Sequence, residues 1–215
     1  MKKWLALAAT AVLGASLLIS GCGSSTNNAS SSGSKEVLKV AANPVPHAEI
    51  LEQVKPILAK EGVDLQIVEF TDYIQPNMAL SSHEVDANFF ANVPYQNNYN
   101  KDHGTNFVSF APVHIEPLAI YSQKIKDLKD LPNGAKVAIP SDPTNSARAL
   151  LLLQSAGLVT LKDPTGLTNT PFDVTSNAKN IQIVELEAAQ IPRSIQDLDA
   201  AVINANYALP AGLNP

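Results

Sequence analysis

Only two of the 15 basic residues are arginines, Arg148 and Arg193, and Arg148 has the setting of an anion grip. It follows the apolar run 136–139 and the loop Pro140-Ser141-Asp142-Pro143-Thr144, in the first turns of the leucine-rich helical stretch 145–156. Free N–H groups and positive dipole character at a helix start favour an anion, and a guanidinium beside them can hold a carboxylate through two parallel hydrogen bonds. The same position lets Arg148 pair with Asp142, and position alone does not choose between the two. Phe70, Tyr73, Phe89, Phe90, Tyr95 and Tyr99 all fall within one stretch of 30 residues. In a strand over 85–90, Phe89 and Phe90 point to opposite faces, so at most one of them lines a given cleft. An aromatic wall facing an anion grip would suit an apolar amino acid. Asn204 and Asn206 end a late apolar run; their amide oxygens could accept from an ammonium group, or the pair could simply form a turn. His47-Ala48-Glu49 and His114-Ile115-Glu116 offer two imidazoles and carboxylates, a plausible set for zinc or manganese. Without a His-rich tract or tight ligand spacing, no metal and no other cofactor is expected. His83 and His103 sit in polar loops and read as solvated. The chain has no nucleophile elbow, phosphate loop or dinucleotide fingerprint, so it reads as a binding protein, not an enzyme.

The elements that must position these residues are written twice. Lys39-Val40-Ala41 leads through Asn43-Pro44-Val45-Pro46 into a helical stretch over 47–60, with Pro56 inside it, then to strands at 65–70 and 85–90 and to Tyr95. Lys136-Val137-Ala138 leads through a second Pro loop into a helix closed by Gly157, then to strands at 181–186 and 198–203 and to Tyr207. The offset is 97 residues at the first phrase and 112 to 116 later, with an insertion around 163–177 taking up the difference. Order and spacing repeat together, which predicts two similar α/β lobes with a cleft between them. Strands alternating with helices favour parallel sheets, whose ligands sit beyond the carboxyl ends of the strands. A short helix is expected over 73–80, and runs at 107–111 and 117–121 look extended and able to cross between lobes.

The first residues carry an address. Lys2 and Lys3 precede an apolar core at 5–19, too short for a comfortable membrane span. The core ends in Ile19-Ser20-Gly21-Cys22, which resembles the bacterial lipoprotein signal, in which the cysteine becomes the lipidated first residue. Cys22 is the only cysteine, so lipidation would leave no thiol for a disulfide, a nucleophile or a metal. Residues 23–35 are a Ser/Asn/Gly run unable to bury apolar surface, a tether of roughly 20 Å root-mean-square reach. The net charge is −5 with no basic run, which argues against nucleic acid as a partner.

Several phrases stand together in a familiar order: Pro46-His47-Ala48-Glu49, Asp72-Tyr73, Val85-Asp86-Ala87-Asn88-Phe89-Phe90, Val93-Pro94-Tyr95, His114-Ile115-Glu116-Pro117, Asp142-Pro143-Thr144-Asn145, Arg148-Ala149-Leu150-Leu151 and Val202-Ile203-Asn204-Ala205-Asn206-Tyr207. From about residue 36 to 215 the chain resembles the NlpA-type lipoproteins, methionine-binding components of bacterial ABC importers. The resemblance implies a type II periplasmic-binding-protein-like fold of two α/β lobes closing over methionine or a similar small apolar amino acid. It also implies an extracytoplasmic protein, anchored to the cell membrane through lipid on Cys22, delivering its ligand to a permease and its ATPase. Tyr73 and Phe90 would line the thioether pocket, with Tyr95 and His114 on the same wall. Arg148 would hold the α-carboxylate, and Asn145 with Asn204 or Asn206 would fix the amino-acid head group. Ala91-Asn92 stands where many relatives have Gln-His, so Asn92 is expected to face a looser pocket. The expected division is 1–21 signal peptide, 22–35 tether, 36–120 first lobe, 121–204 second lobe, and 205–215 the start of a return toward the first lobe that is cut short. The alternatives are a metal-ion-binding transport lipoprotein using His47 and His114, or a surface interaction lipoprotein with a vestigial cleft.

Overall fold

The computed structural model describes residues 35–214. The expected signal peptide, lipidation at Cys22 and nearly all of the tether lie outside the described residues.

Strand β1 (Glu36–Ala42) leads through a Pro-rich turn into helix α1 (Glu49–Lys60), then β2 (Val63–Glu69), α2 (Gln75–Ser81), β3 (Ala87–Phe89) and α3 (Val93–His103). After an irregular run come β4 (Leu118–Tyr121), β5 (Lys136–Pro140), α4 (Pro143–Ser155), the short hairpin strands β6 (Thr160–Leu161) and β7 (Val174–Ser176), β8 (Gln182–Leu186), α5 (Ile191–Ser194), β9 (Ala200–Asn204) and α6 (Ala205–Ala208). The sheets are ordered β2-β1-β3 and β4-β9-β5-β8. Removing β4 from the second leaves β8-β5-β9, the first sheet over again, and every pair in both triplets is parallel. Val40 faces Ala87 as Val137 faces Ala200, so even the register repeats. The repeat read from the apolar phrases is therefore a repeat of topology.

A polar device is duplicated with it. The Lys39 backbone N–H donates to the Asp86 carboxylate at 2.8 Å while the Asp86 N–H donates to the Lys39 carbonyl at 2.9 Å. Lys136 and Asp199 make the same exchange at 2.8 and 2.9 Å. Each carboxylate satisfies an N–H of a central strand, Lys39 midway along β1 and Lys136 at the start of β5, and fixes where the third strand joins it.

Two expectations change. The strand foreseen over 85–90 is only the three residues of β3, because Val85 and Asp86 turn to reach β1. The boundary placed after residue 120 falls inside β4, which pairs along its whole length with β9, antiparallel from Leu118 opposite Asn204 to Tyr121 opposite Ala201. The chain thus changes sheets before Leu118.

Burial is uneven between the halves. The second sheet packs α4 through Leu150 and Leu153 onto Val137, Ile139 and Val202, all wholly buried, and a second cluster joins Ile191, Ile195 and Leu198 to Ala201 and Ile203. β9 is buried at every residue because it has a strand on either side and is covered on both faces. The first sheet has a smaller cluster, Ala41, Ala79 and Val85 with Val68, Phe70 and Leu80 against them, and Val40, Ala42 and Leu65 are buried beside it. On this side Ile57, Val93, Val108, Phe110, Val113 and Ile115 stay exposed. The hydrophobic rule runs one way only: apolar residues fill cores, but not every one finds a core.

Candidate functional site

Four strand ends deliver the site. Beyond β1, the buried amide of Asn43 donates to the carbonyls of Phe70 and Asp72 at 2.7 and 3.2 Å, fixing the loop that carries Tyr73. Beyond β3 come Phe90 and, in the first turn of α3, Tyr95. Beyond β5, Asp142 caps α4, accepting the Asn145 N–H at 2.9 Å. β9 ends on Asn204, with Asn206 just beyond. Residues 116 and 117 are held beside that end, since the Ala205 N–H donates to the Pro117 carbonyl at 3.2 Å.

At the polar end Asp142 does not take Arg148. Both of its oxygens hold the Asn145 side-chain N–H₂, at 3.1 and 2.9 Å. That leaves the Asn145 amide oxygen to accept from Arg148 at 2.8 Å and from Asn204 at 3.1 Å. The other Arg148 nitrogen donates to the Glu116 backbone carbonyl at 3.0 Å. No side-chain ion pair involves Arg148 among the described residues. Burial lowers its pKa, and the Tyr73, Asp142 and Glu116 charges oppose that shift. Asn204 and Asn206 are both buried, yet the Asn204 amide oxygen and the Asn206 amide nitrogen have no partner. Buried polar atoms are nearly always paired, so one free acceptor and one free donor this close to an arginine are informative.

At the apolar end Tyr73 is the hub. Its ring centroid lies 5.9 Å from Phe90, 5.9 Å from Tyr95 and 5.0 Å from Tyr207. Its hydroxyl donates to the Asn206 amide oxygen at 2.6 Å, joining the halves of the molecule. Tyr95 donates to the Tyr73 carbonyl at 2.8 Å, and Tyr207 donates across to the Thr71 carbonyl at 3.2 Å. Burial raises the pKa of all three tyrosines, so each hydroxyl keeps its proton and acts as a donor.

Phe89 points away from Phe90, as alternation requires. Its ring meets His47 at 4.9 Å and His114 at 5.5 Å, each edge to face. Both imidazoles address one Glu116 oxygen, His47 at 3.2 Å and His114 at 2.9 Å. Burial first, and the neighbouring His114 second, hold His47 down to about 4. Burial raises the Glu116 carboxyl, against the hydrogen bond and charge of His114 and the charge of Arg148.

Of the expected site residues, Tyr73, Phe90, Tyr95, Asn145, Arg148, Asn204 and Asn206 are linked by these contacts, and His114 joins through Glu116. Asn92 stands apart. It is exposed, and its side-chain oxygen accepts the Tyr95 N–H at 2.9 Å as the cap of α3, so its polar group serves the helix instead of the cleft. Sequence reading named Glu116 only as a possible metal ligand, and it placed neither Phe89 nor Tyr207 in the amino-acid site. The one available signal was Tyr207, which falls 112 residues after Tyr95 in the repeat.

Known proteins resemble this chain along nearly all of its length. The family model described as NlpA lipoprotein matches residues 38–215. The D-methionine-binding lipoprotein MetQ of Salmonella typhimurium is 42% identical over 217 residues, covering 99% of this chain and 78% of the relative. A nutrient binding protein from Burkholderia cenocepacia, solved bound to methionine, superposes with a TM-score of 0.79 at 47% identity, covering 83% of this chain and 76% of that one. An ABC transporter periplasmic substrate-binding protein from Coxiella burnetii gives 0.79 at 45%, covering 83% and 75%. With two parallel-centred α/β lobes and these neighbours, the fold is periplasmic-binding-protein-like, of type II. The chain belongs to the NlpA lipoprotein family.

Proposed function

We propose that this chain captures methionine, or a similar small apolar amino acid, between its lobes and delivers it to an ABC importer. Capture proceeds by hinge closure without covalent chemistry. The observation that carries the reading is the pair of unpartnered buried amide atoms on Asn204 and Asn206, beside an arginine with no carboxylate of its own. An α-carboxylate would accept from the Arg148 guanidinium and the free Asn206 N–H. An ammonium group would donate to the free Asn204 oxygen and to the Glu116 carboxylate. The side chain would then run toward Tyr73, Phe90 and Tyr95, where a thioether gains favourable sulfur–aromatic contact. The names of the relatives support this ligand and this kind of transporter. We further propose that the protein works at the extracytoplasmic face of the membrane, held by lipid on Cys22, with a permease and its ATPase as partners. Calorimetric titration of the ligand-stripped protein with L- and D-methionine tests the reading. One site per chain for either enantiomer, with weaker leucine and alanine, is the expected result, and binding of neither enantiomer overturns it.

A further inference from the structure

His47, His114 and Glu116 form a constellation of their own. His47 comes from the turn after β1, and its side chain is only 3% exposed. His114 and Glu116 come from the run before β4, two residues apart. Both imidazole Nε2 atoms converge on one carboxylate oxygen, and the three ligand atoms lie within 4.8 Å of one another. A four-coordinate zinc with bonds of about 2.1 Å holds its ligands roughly 3.4 Å apart, so the nitrogen–oxygen separations of 3.2 and 2.9 Å need to open only slightly to admit the ion. The Phe89 ring abuts both imidazoles, and the imidazole centroids are 5.1 Å apart, so the rings are braced in this convergent pose.

We propose that His47, His114 and Glu116 bind one first-row divalent ion of the zinc or nickel class, with its remaining coordination positions open to the cleft. Two imidazoles and one carboxylate select such ions over magnesium and calcium, which prefer all-oxygen shells. Arg148 donates to the backbone carbonyl of Glu116 and leaves the carboxylate to the ion, but its positive charge nearby keeps the affinity moderate. Glu116 is also the carboxylate offered to the ammonium group above. Metal and free amino acid therefore compete, each weakening the other by the same factor. The metal site itself does not depend on the methionine reading.

The test is titration of the chelator-treated full chain with Zn²⁺ against a chromogenic chelator. Co²⁺ absorption serves as a second readout of coordination. One zinc per chain is expected, weakened at least tenfold by H47Q and by H114Q and unchanged by H83Q, with visible cobalt bands that vanish in the first two. If H47Q does not fold by circular dichroism, H114Q decides, since that ring is more exposed. Absence of stoichiometric zinc, or equal affinity in H114Q and H83Q, overturns the proposal. Methionine titrated on the same sample separates the two readings: methionine without zinc removes only the metal site, and zinc without methionine removes only the amino-acid site.

Discussion

Arg148 keeps its charge in a half-buried place by leaning on neutral oxygens, the Asn145 amide and the Glu116 carbonyl. Truncating one partner of a buried charged pair costs about 2–5 kcal/mol of binding, so Arg148→Ala should weaken methionine by that much. Calorimetry on the folded variant checks it, and unchanged affinity would remove Arg148 from the head-group site. His47 predicts a pH effect. Its folded pKa of about 4 lies below the free value of 6.5, so in that window the unfolded chain binds a proton that the folded chain does not. Its contribution to stability is complete above 6.5 and is lost as pH falls toward 4, in total roughly 3 kcal/mol at 1.36 kcal/mol per pKa unit. Glu116, raised by burial, works in the opposite sense: what it contributes is present at low pH and is lost as pH rises through its folded pKa. Urea midpoints on either side of that window should therefore fall on acidification in the native chain and fall less in His47→Gln. An equal fall in both would show that His47 is not the group responsible. The candidate residues could be named from sequence, an arginine at a helix start and asparagines at a strand end, but position alone left each of them a structural alternative. Glu116 was legible as one carboxylate of a possible metal set, but not as a partner for an ammonium group. What brings it to the site is β4 crossing to the second sheet, and four extended residues do not show which sheet they will join.

Among the elements, α3 and the strand joins carry the clearest consequences. Asn92 accepts the Tyr95 N–H, so Asn92→Ala should cost about 1 kcal/mol as a lost helix cap. Asn92→His should cost stability without tightening methionine. Thermal melts and competition titrations separate those effects, and tighter methionine binding would return position 92 to the pocket. The paired carboxylates Asp86 and Asp199 form an internal control. Asp199→Asn keeps an acceptor for the Lys136 N–H and should be nearly silent, whereas Asp199→Ala should lose about 1 kcal/mol for the missing hydrogen bond. The same ranking should appear at Asp86 opposite Lys39. The duplication of the strands along the chain was readable because the apolar phrases recur in the same order, at an offset of 97 residues that widens to 112–116 after an insertion. The carboxylate clamps were not, since an aspartate before a strand has the same letters whether it caps, pairs or faces water.

At the scale of the whole molecule, the anchor and the distribution of burial matter most. Cys22→Ala should leave the protein unprocessed or release it from membranes, because cleavage and lipid both depend on that residue in a lipoprotein signal. Fractionation reads it, and a processed variant still held in membranes would point to another anchor. The first sheet carries one small buried cluster, while the second carries two larger clusters around β5 and β9. A chain threaded from its amino end delivers β1, β2 and β3 to the outside of the cell before most of the apolar material that stabilises the molecule. Local opening free energies follow buried contact, so the half that emerges first should be the slower to become protected. Pulse-labelled hydrogen exchange during refolding should find the amides of β5 and β9 closed before those of β1 and β2. The early half would then spend its first moments outside the membrane as a client for extracytoplasmic chaperones, waiting for the later half to supply a surface on which to settle.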